Sequence, residues 1–158
     1  MLTQSCSGQK LDGLIAKLKR INSRALIVES RHEPKGVSRL EHPDELLDPE
    51  FLKGKLVAIF SGIGNPEGFK NCVCGLGIKV AKSFRFPDHH DYTQADILRM
   101  VREAKENNLE AIITTPKDAV KIRELEVKGT GILVLEIKLS ITKNEAEFNR
   151  RLLKLYSF

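Results

Sequence analysis

Apolar and polar positions along this chain alternate between a helical rhythm and a strand rhythm, and the order of the two outlines the architecture. Leu11, Leu14, Ile15 and Leu18 recur at helical spacing and predict a helix over Leu11–Arg20. Ala25–Glu29 reads as a strand. The polar stretch Arg31–Glu50, with Pro34, Gly36, Pro43 and Pro49, is expected to be a long connection with a short helical turn near Glu45–Leu47. Segments of this kind inside compact domains are usually functional or mobile. Lys55–Phe60 is a continuous apolar run and predicts a buried strand, with Gly62 and Gly64 following it. Asn65 then has the character of an N-cap, with Pro66 at the first helical position, opening a helix that runs to about Leu76 and stops at Gly77.

Lys79–Phe86 predicts the next strand. Thr93 with Asp96 has the form of a capping box, and Ile97, Val101 and Ala104 lie along one face of the helix that ends at Asn107-Asn108. Ala111–Thr115 predicts a short buried strand, Asp118–Leu125 a short helix and Ile132–Ile137 a further strand. Thr142 with Glu145 repeats the capping pattern before a last helix expected to turn Phe148, Leu152 and Leu155 inward. Leu2-Thr3-Gln4 reads as the tail of a strand. Near-continuous apolar strands alternating with helices imply a three-layer α/β fold with a mostly parallel sheet. It is expected to form one domain over residues 1–158, with 31–50 as the long connection within it.

Composition narrows the classes. Apolar runs such as Leu56–Phe60 are far shorter than the roughly 20 residues a membrane span needs. The first residues show neither the basic nor the apolar region of a signal peptide. Three cysteines argue against a disulfide framework, and Cys72 and Cys74 diverge on a helix, so a reduced cytoplasmic compartment is expected. The net charge of +5 could favour phosphate-bearing partners or an anionic membrane surface, but ordinary solvated surface charge is the simpler reading. Aromatic residues do not interleave a basic patch, so no nucleic-acid partner is expected.

Three polar clusters follow three of the strands: Ser61–Pro66, Phe86–Tyr92 and Thr114–Lys121. Ligands of open α/β sheets bind outside the carboxyl ends of the strands, so the clusters converge on one crevice. Gly62, Gly64 and Asn65 allow close backbone approach and free N–H groups for an anion, or simply a tight turn with a good cap. The third glycine and acidic ribose ligand of a dinucleotide fingerprint are missing. In Asp88-His89-His90-Asp91, a histidine beside a carboxylate suits acid–base or charge-orienting work, or the group is a solvated loop; either ring could face the crevice. Adjacent residues point apart, and His32 and His42 lie in the long connection, so no metal site is expected. Thr115 and Lys117 could hold phosphate or sugar oxygens with Asp118 orienting the lysine, or Thr115 and Asp118 only cap a helix. Lys143, Arg150, Arg151 and Lys154 lie outside the last apolar stripe, as a solvated face or a contact with anionic lipid.

Together, G-I-G-N-P, F-P-D-H-H-x-Y-T and T-T-x-K-D-A-V-K, in this order within about Leu56–Lys121, closely resemble the C-terminal part of the tetraacyldisaccharide 4'-kinase family of lipid A biosynthesis in Gram-negative bacteria. The flanking segments fit more loosely. The resemblance implies a P-loop NTPase-like fold and transfer of the ATP γ-phosphoryl, with Mg²⁺, to the 4'-hydroxyl of a lipid A disaccharide 1-phosphate precursor at the inner face of the inner membrane. It makes His89, beside Asp88, the histidine that pairs with an N-terminal aspartate activating the sugar hydroxyl. It places Gly62, Gly64, Asn65, Thr115, Lys117 and Asp118 at substrate or nucleotide.

In the family, the phosphate loop, the Mg²⁺-binding acidic residues, the partner aspartate and a membrane-associating helix all precede the matched region. This sequence has no G-x-x-x-x-G-K-[ST]. The chain is therefore expected to be a half-fold, inactive without an N-terminal half lost from it or carried on a separate chain. The alternative is a non-catalytic binding or remnant module of the same fold. A D-H-H phosphoesterase would need further metal-binding aspartates that the sequence does not offer. A bisected sheet leaves an open edge and uncovered apolar surface, so the isolated chain is expected to self-associate.

Overall fold

The computed structural model describes residues 2–4, 12–127 and 129–156. In chain order the elements are β1 (Leu2–Gln4), α1 (Asp12–Ile21), β2 (Glu29–Arg39), β3 (His42–Leu47), a 3₁₀ turn (Pro49–Leu52), β4 (Leu56–Ser61), α2 (Pro66–Gly75), β5 (Lys79–Arg85), α3 (Gln94–Glu106), β6 (Ala111–Thr114), α4 (Pro116–Ile122), β7 (Ile132–Lys143) and α5 (Glu145–Tyr156). They gather into two compact units, one of residues 34–137 and one of residues 1–33 with 138–158.

In the 34–137 unit the strands run in the order β2-β7-β6-β4-β5. Strands β7, β6, β4 and β5 are parallel, in registers such as Ile113↔Leu133, Val57↔Ala111 and Phe60↔Phe84. Strand β4 is apolar on both faces because both are covered. Ala58 and Phe60 join Ile112 and Val134 under Ile97 and Met100 of α3 and Ala119 and Ile122 of α4. Val57 and Ile59 join Ile113, Leu133 and Leu135 under Phe69, Cys72 and Val73 of α2. This is the three-layer, mostly parallel α/β arrangement expected from the apolar runs. Strand β5 closes the order as an edge and carries Lys79, Lys82 and Arg85. Lys82 reaches Glu103 of α3 at 2.5 Å, and Arg85 pairs with Glu67 of α2.

The stretch 31–50, expected to be a connection, is instead a hairpin of β2 and β3, antiparallel through Val37↔Leu47 and Ser38↔Leu46. Its pairing is carried by the backbone, and its apolar content is thin: Val37 and Leu40 are buried beside the equally buried Ser38. Pro43 is tolerated because β3 pairs only with β2 and is exposed along most of its length. Gly36 lies so close to Leu46 that a Cβ there would stand 2.6 Å from its Cγ.

In the other unit, β1 pairs with β2 in parallel, Leu2↔Glu29 through Gln4↔Arg31. Of the expected strand Ala25–Glu29, only Glu29 is in a strand. Strand β7 extends six residues beyond Ile137, so Thr142 sits in a strand and forms no capping box; its hydroxyl donates to the Glu29 carbonyl at 3.3 Å. Helix α5 starts after Asn144, a left-handed residue (φ 62°) whose side-chain amide donates to the Ile27 carbonyl at 2.8 Å. Ser140 Oγ donates to Glu33 at 2.6 Å, and Lys143 pairs with Glu29 at 3.0 Å.

Neither α1 nor α5 contains a buried residue. Leu152 and Leu155, expected to point inward, are exposed, Leu155 at 71%, and Phe148 is half-buried. With Leu18, Ile21 and Ala25–Val28 they line an apolar cavity of about 610 Å³. The Leu11 start of the expected first helix lies outside the described residues. No described helix is long and apolar enough to cross a membrane.

Candidate functional site at the strand ends

The sheet order places β6, β4 and β5 side by side, so the three polar clusters leave from neighbouring carboxyl ends. The backbone stitches them together: Phe86 N–H donates to the Ser61 carbonyl at 3.0 Å, and Thr114 Oγ1 donates to the Phe60 carbonyl at 3.1 Å.

At their meeting point sits Asp118, fully buried in α4. Its Oδ1 accepts from Gly62 N–H at 3.1 Å and from Tyr92 O–H at 2.9 Å. Its Oδ2 accepts from Thr115 O–H at 2.7 Å, while its own N–H donates to Thr115 Oγ1 at 3.2 Å. A carboxylate survives burial only when donors of this kind surround it. Burial, and then the charge of Asp118, push the Tyr92 phenol far above its ordinary range, so its O–H stays a donor. Lys117 is exposed, whereas both Asp118 oxygens are engaged by the surrounding loops.

Gly62 is needed for this convergence. A Cβ on it would stand 3.0 Å from the Pro87 carbonyl, 3.1 Å from Tyr92 Oη and 3.3 Å from Asp118 Oδ1. Gly64 is less confined, its nearest neighbour being Asp88 Oδ2 at 3.8 Å from such a Cβ. Asn65 caps α2, accepting from Gly68 N–H at 2.9 Å.

The two histidines, equivalent in sequence, part company here. His89 adopts a left-handed backbone (φ 61°), and its ring is 90% exposed. Its N–H donates to the Gly62 carbonyl at 3.3 Å and to Asp88 Oδ1 at 3.1 Å, while its Nε2 is 3.8 Å from Asp88 Oδ2. A non-glycine residue in this region carries strain that only its surroundings maintain, and such residues cluster at functional sites. His90 instead packs inward, stacked on Phe86 with ring centroids 4.6 Å apart, its Nε2 3.3 Å from Asp96 Oδ2. Lys121 Nζ donates to the His90 carbonyl at 3.1 Å. Burial alone would raise the Asp96 carboxyl, but the Thr93 N–H and O–H and the His90 ring outweigh it and hold it below the ordinary range.

Sequence reasoning did not single out Tyr92 or Lys121, nor the pairing of His90 with Asp96. Tyr92 stood inside the second motif, but among Asp91, Thr93 and Gln94 nothing local marks it as a partner of Asp118. Among the described residues, no group of three His, Cys, Asp or Glu side chains could hold a metal ion. Asp118 cannot supply a ligand without giving up its donors. Among the described residues, the buried carboxylate of this junction is therefore closed to Mg²⁺. Cys72 is buried and Cys74 exposed. A cavity of about 540 Å³ in the same unit, lined by Lys55, Glu110 and Leu133, is at the opposite, amino ends of the strands.

Comparison with known proteins adds ancestry to this geometry. The profile of the family described as "Tetraacyldisaccharide-1-P 4'-kinase" (LpxK) matches residues 6–157. The tetraacyldisaccharide 4'-kinase of Anaeromyxobacter dehalogenans is 36% identical over 144 residues, covering 90% of this chain and 36% of that protein. That of Syntrophus aciditrophicus is 31% identical over 124 residues, covering 78% of this chain and 33% of its own length. The chain thus spans about a third of the length of these relatives. Among solved structures, the "apo" form of LpxK from Aquifex aeolicus in complex with ATP matches with a TM-score of 0.52 and 22% identity, over 86% of this chain and 40% of that one. At that identity the likeness speaks for the fold.

Proposed function

The chain belongs to the tetraacyldisaccharide-1-P 4'-kinase (LpxK) family, and on that premise we propose that it is the C-terminal portion of a tetraacyldisaccharide 4'-kinase whose site is completed by an N-terminal portion. In the reaction the 4'-hydroxyl oxygen of the lipid A disaccharide 1-phosphate precursor attacks the γ-phosphorus of ATP. The bond to the β–γ bridging oxygen breaks, and the hydroxyl proton passes to a carboxylate of the N-terminal portion. Phosphoryl transfer is governed mainly by positioning and charge stabilisation, so a group that orients the base contributes without reacting.

This chain's part is to present His89. The observation that carries the reading is its backbone: a left-handed histidine, held at the junction of the strand-end loops with its ring turned outward. The exposed imidazole is open to a hydrogen bond with a carboxylate arriving from elsewhere, with Asp88 Oδ2 3.8 Å from its Nε2. Lys117 offers an exposed ammonium at the same strand ends for a phosphate oxygen, and the Gly62–Asn65 turn offers backbone approach. Thr115 and Asp118 support the site from within. The ligands of the ATP phosphates and of Mg²⁺ lie largely outside these residues, in the portion that carries the phosphate loop.

The setting proposed is the cytoplasmic face of the inner membrane. Support for lipid contact through α5 is thin: Arg150 and Arg151 both pair with Glu147, and Lys143 pairs with Glu29.

The test is a phosphoryl-transfer assay with ATP, Mg²⁺ and disaccharide 1-phosphate, on the chain alone and mixed with a separately expressed N-terminal half. Activity is expected only in the mixture, with His89→Ala lowering it about 10²–10⁴-fold. No activity in the mixture, with both halves folded, would sink the kinase reading and leave a non-catalytic module of the same fold.

A further inference from the structure

We propose that Asp118 is a positioning residue, which through Gly62 and Tyr92 fixes the strained backbone of His89. This rests on the reading above that His89 works in the kinase site. The connection is short and continuous. Asp118 Oδ1 accepts from Gly62 N–H, and the carbonyl of the same Gly62 accepts from His89 N–H. From the other side, Tyr92, three residues after His89, donates to the same Oδ1 at 2.9 Å. The loop from His89 to Tyr92 is thus tied to one buried carboxylate, directly at Tyr92 and through Gly62 at His89, and Thr115 fixes that carboxylate in turn through Oδ2. Lys121, one turn along α4 from Asp118, holds the intervening His90 carbonyl.

A left-handed histidine relaxes to an ordinary conformation unless its neighbours over-determine it. Here the restraints on its loop converge on α4. Asp118 is unsuited to touching substrate, because it is buried and both oxygens are engaged by protein donors. It acts through His89.

The experiment is amide hydrogen exchange by NMR on the full chain, comparing Tyr92→Phe, Asp118→Ala and Asp118→Asn with the parent. Tyr92→Phe and Asp118→Ala are expected to speed exchange at Gly62 and His89 about tenfold or more relative to Ile59 and Ile113 in the flanking strands. Asp118→Asn keeps an acceptor for Gly62 and Tyr92 and is expected to stay within about threefold of the parent. Equal acceleration at Ile59 and Ile113 would make Asp118 a general stabiliser and overturn the proposal, as would unchanged exchange at His89. Should Asp118→Ala not fold, Tyr92→Phe decides alone.

In the reconstituted assay, Tyr92→Phe is expected to lower kcat several-fold with the KM for ATP unchanged. A raised KM with unchanged kcat would assign this cluster to nucleotide contact and overturn the proposal. Loosened exchange at His89 with full activity of His89→Ala would support the positioning role while refuting the kinase role of His89, so the two failures are told apart.

Discussion

Helices α3 and α5 are of similar length and similarly amphipathic, yet α3 buries Ile97, Met100 and Ala104 while α5 buries nothing. The difference lies in what each meets. Helix α3 lies on a sheet face already built from Ala58, Phe60 and Ile112. Helix α5 belongs to the unit whose Phe148, Leu152 and Leu155 line an open apolar cavity with Leu18 and Ile21 of α1. An apolar stripe defines a face; burial requires a complement of the right shape. The 34–137 unit supplies its own complement, and the other unit does not among its described residues.

The contrast can be broken first in the core. Phe60→Ala is expected to cost about 3–5 kcal/mol in denaturant unfolding, whereas Leu155→Ala should stay within about 0.5 kcal/mol. A comparable cost for both would show that α5 is as integrated as the sheet core beneath α3. Next in size, Gly62→Ala is expected to cost about 1–3 kcal/mol, because its methyl group meets the Pro87 carbonyl and Asp118 at once. A neutral result in the same assay would show that the loops part easily.

Smaller again is the cap of α3. Thr93→Ala should lower stability by about 1 kcal/mol, with no equivalent loss for Thr142→Ala, since Thr142 caps nothing. Asp96 sharpens the comparison through pH. Its folded carboxyl titrates below the ordinary value, so the unfolded state binds the proton more readily. Its contribution is full above the ordinary carboxylate range and fades as pH falls through the lowered folded value. The urea midpoint of Asp96→Asn should therefore lie below the parent's at neutral pH and converge on it in acid. A constant gap would mean that the capping charge is not what Asp96 contributes.

Much of the site-bearing unit was legible in the sequence because its signals are local. Asn65-Pro66 and Thr93 with Asp96 announce helix starts in a few residues, and the run at Val57–Phe60 needs no partner to be recognised as buried. The hairpin at 31–50 was not legible, because Val37 and Leu40 are isolated in a polar stretch and the pairing lies in the backbone. Thr142 misled because S/T-x-x-E also occurs by chance inside a strand that outlasts its apolar run. The same holds within the site. The residues alone left either histidine open and only the family resemblance implied His89; the divergence of the two rings depends on a φ of 61° and on Phe86 stacking under His90, neither of which any spacing reveals. The bond from Tyr92 to Asp118 joins residues 26 apart, and only the folded sheet brings them together.

Connectivity gives these two units different histories. Residues 34–137 form one uninterrupted stretch, whereas the other unit is assembled from both ends of the chain. During translation the residues of β4, β5, β6 and the first half of β7 leave the ribosome before those of α5 do. Domains generally fold as units, and the N-terminal ones first, as the chain emerges. The unit that displays His89 can thus close early, while its companion must wait for the segment that follows Ile137. Stalled nascent chains carrying a C-terminal linker long enough to span the exit tunnel should register this as a folding event once Ile137 is outside, before α5 has emerged.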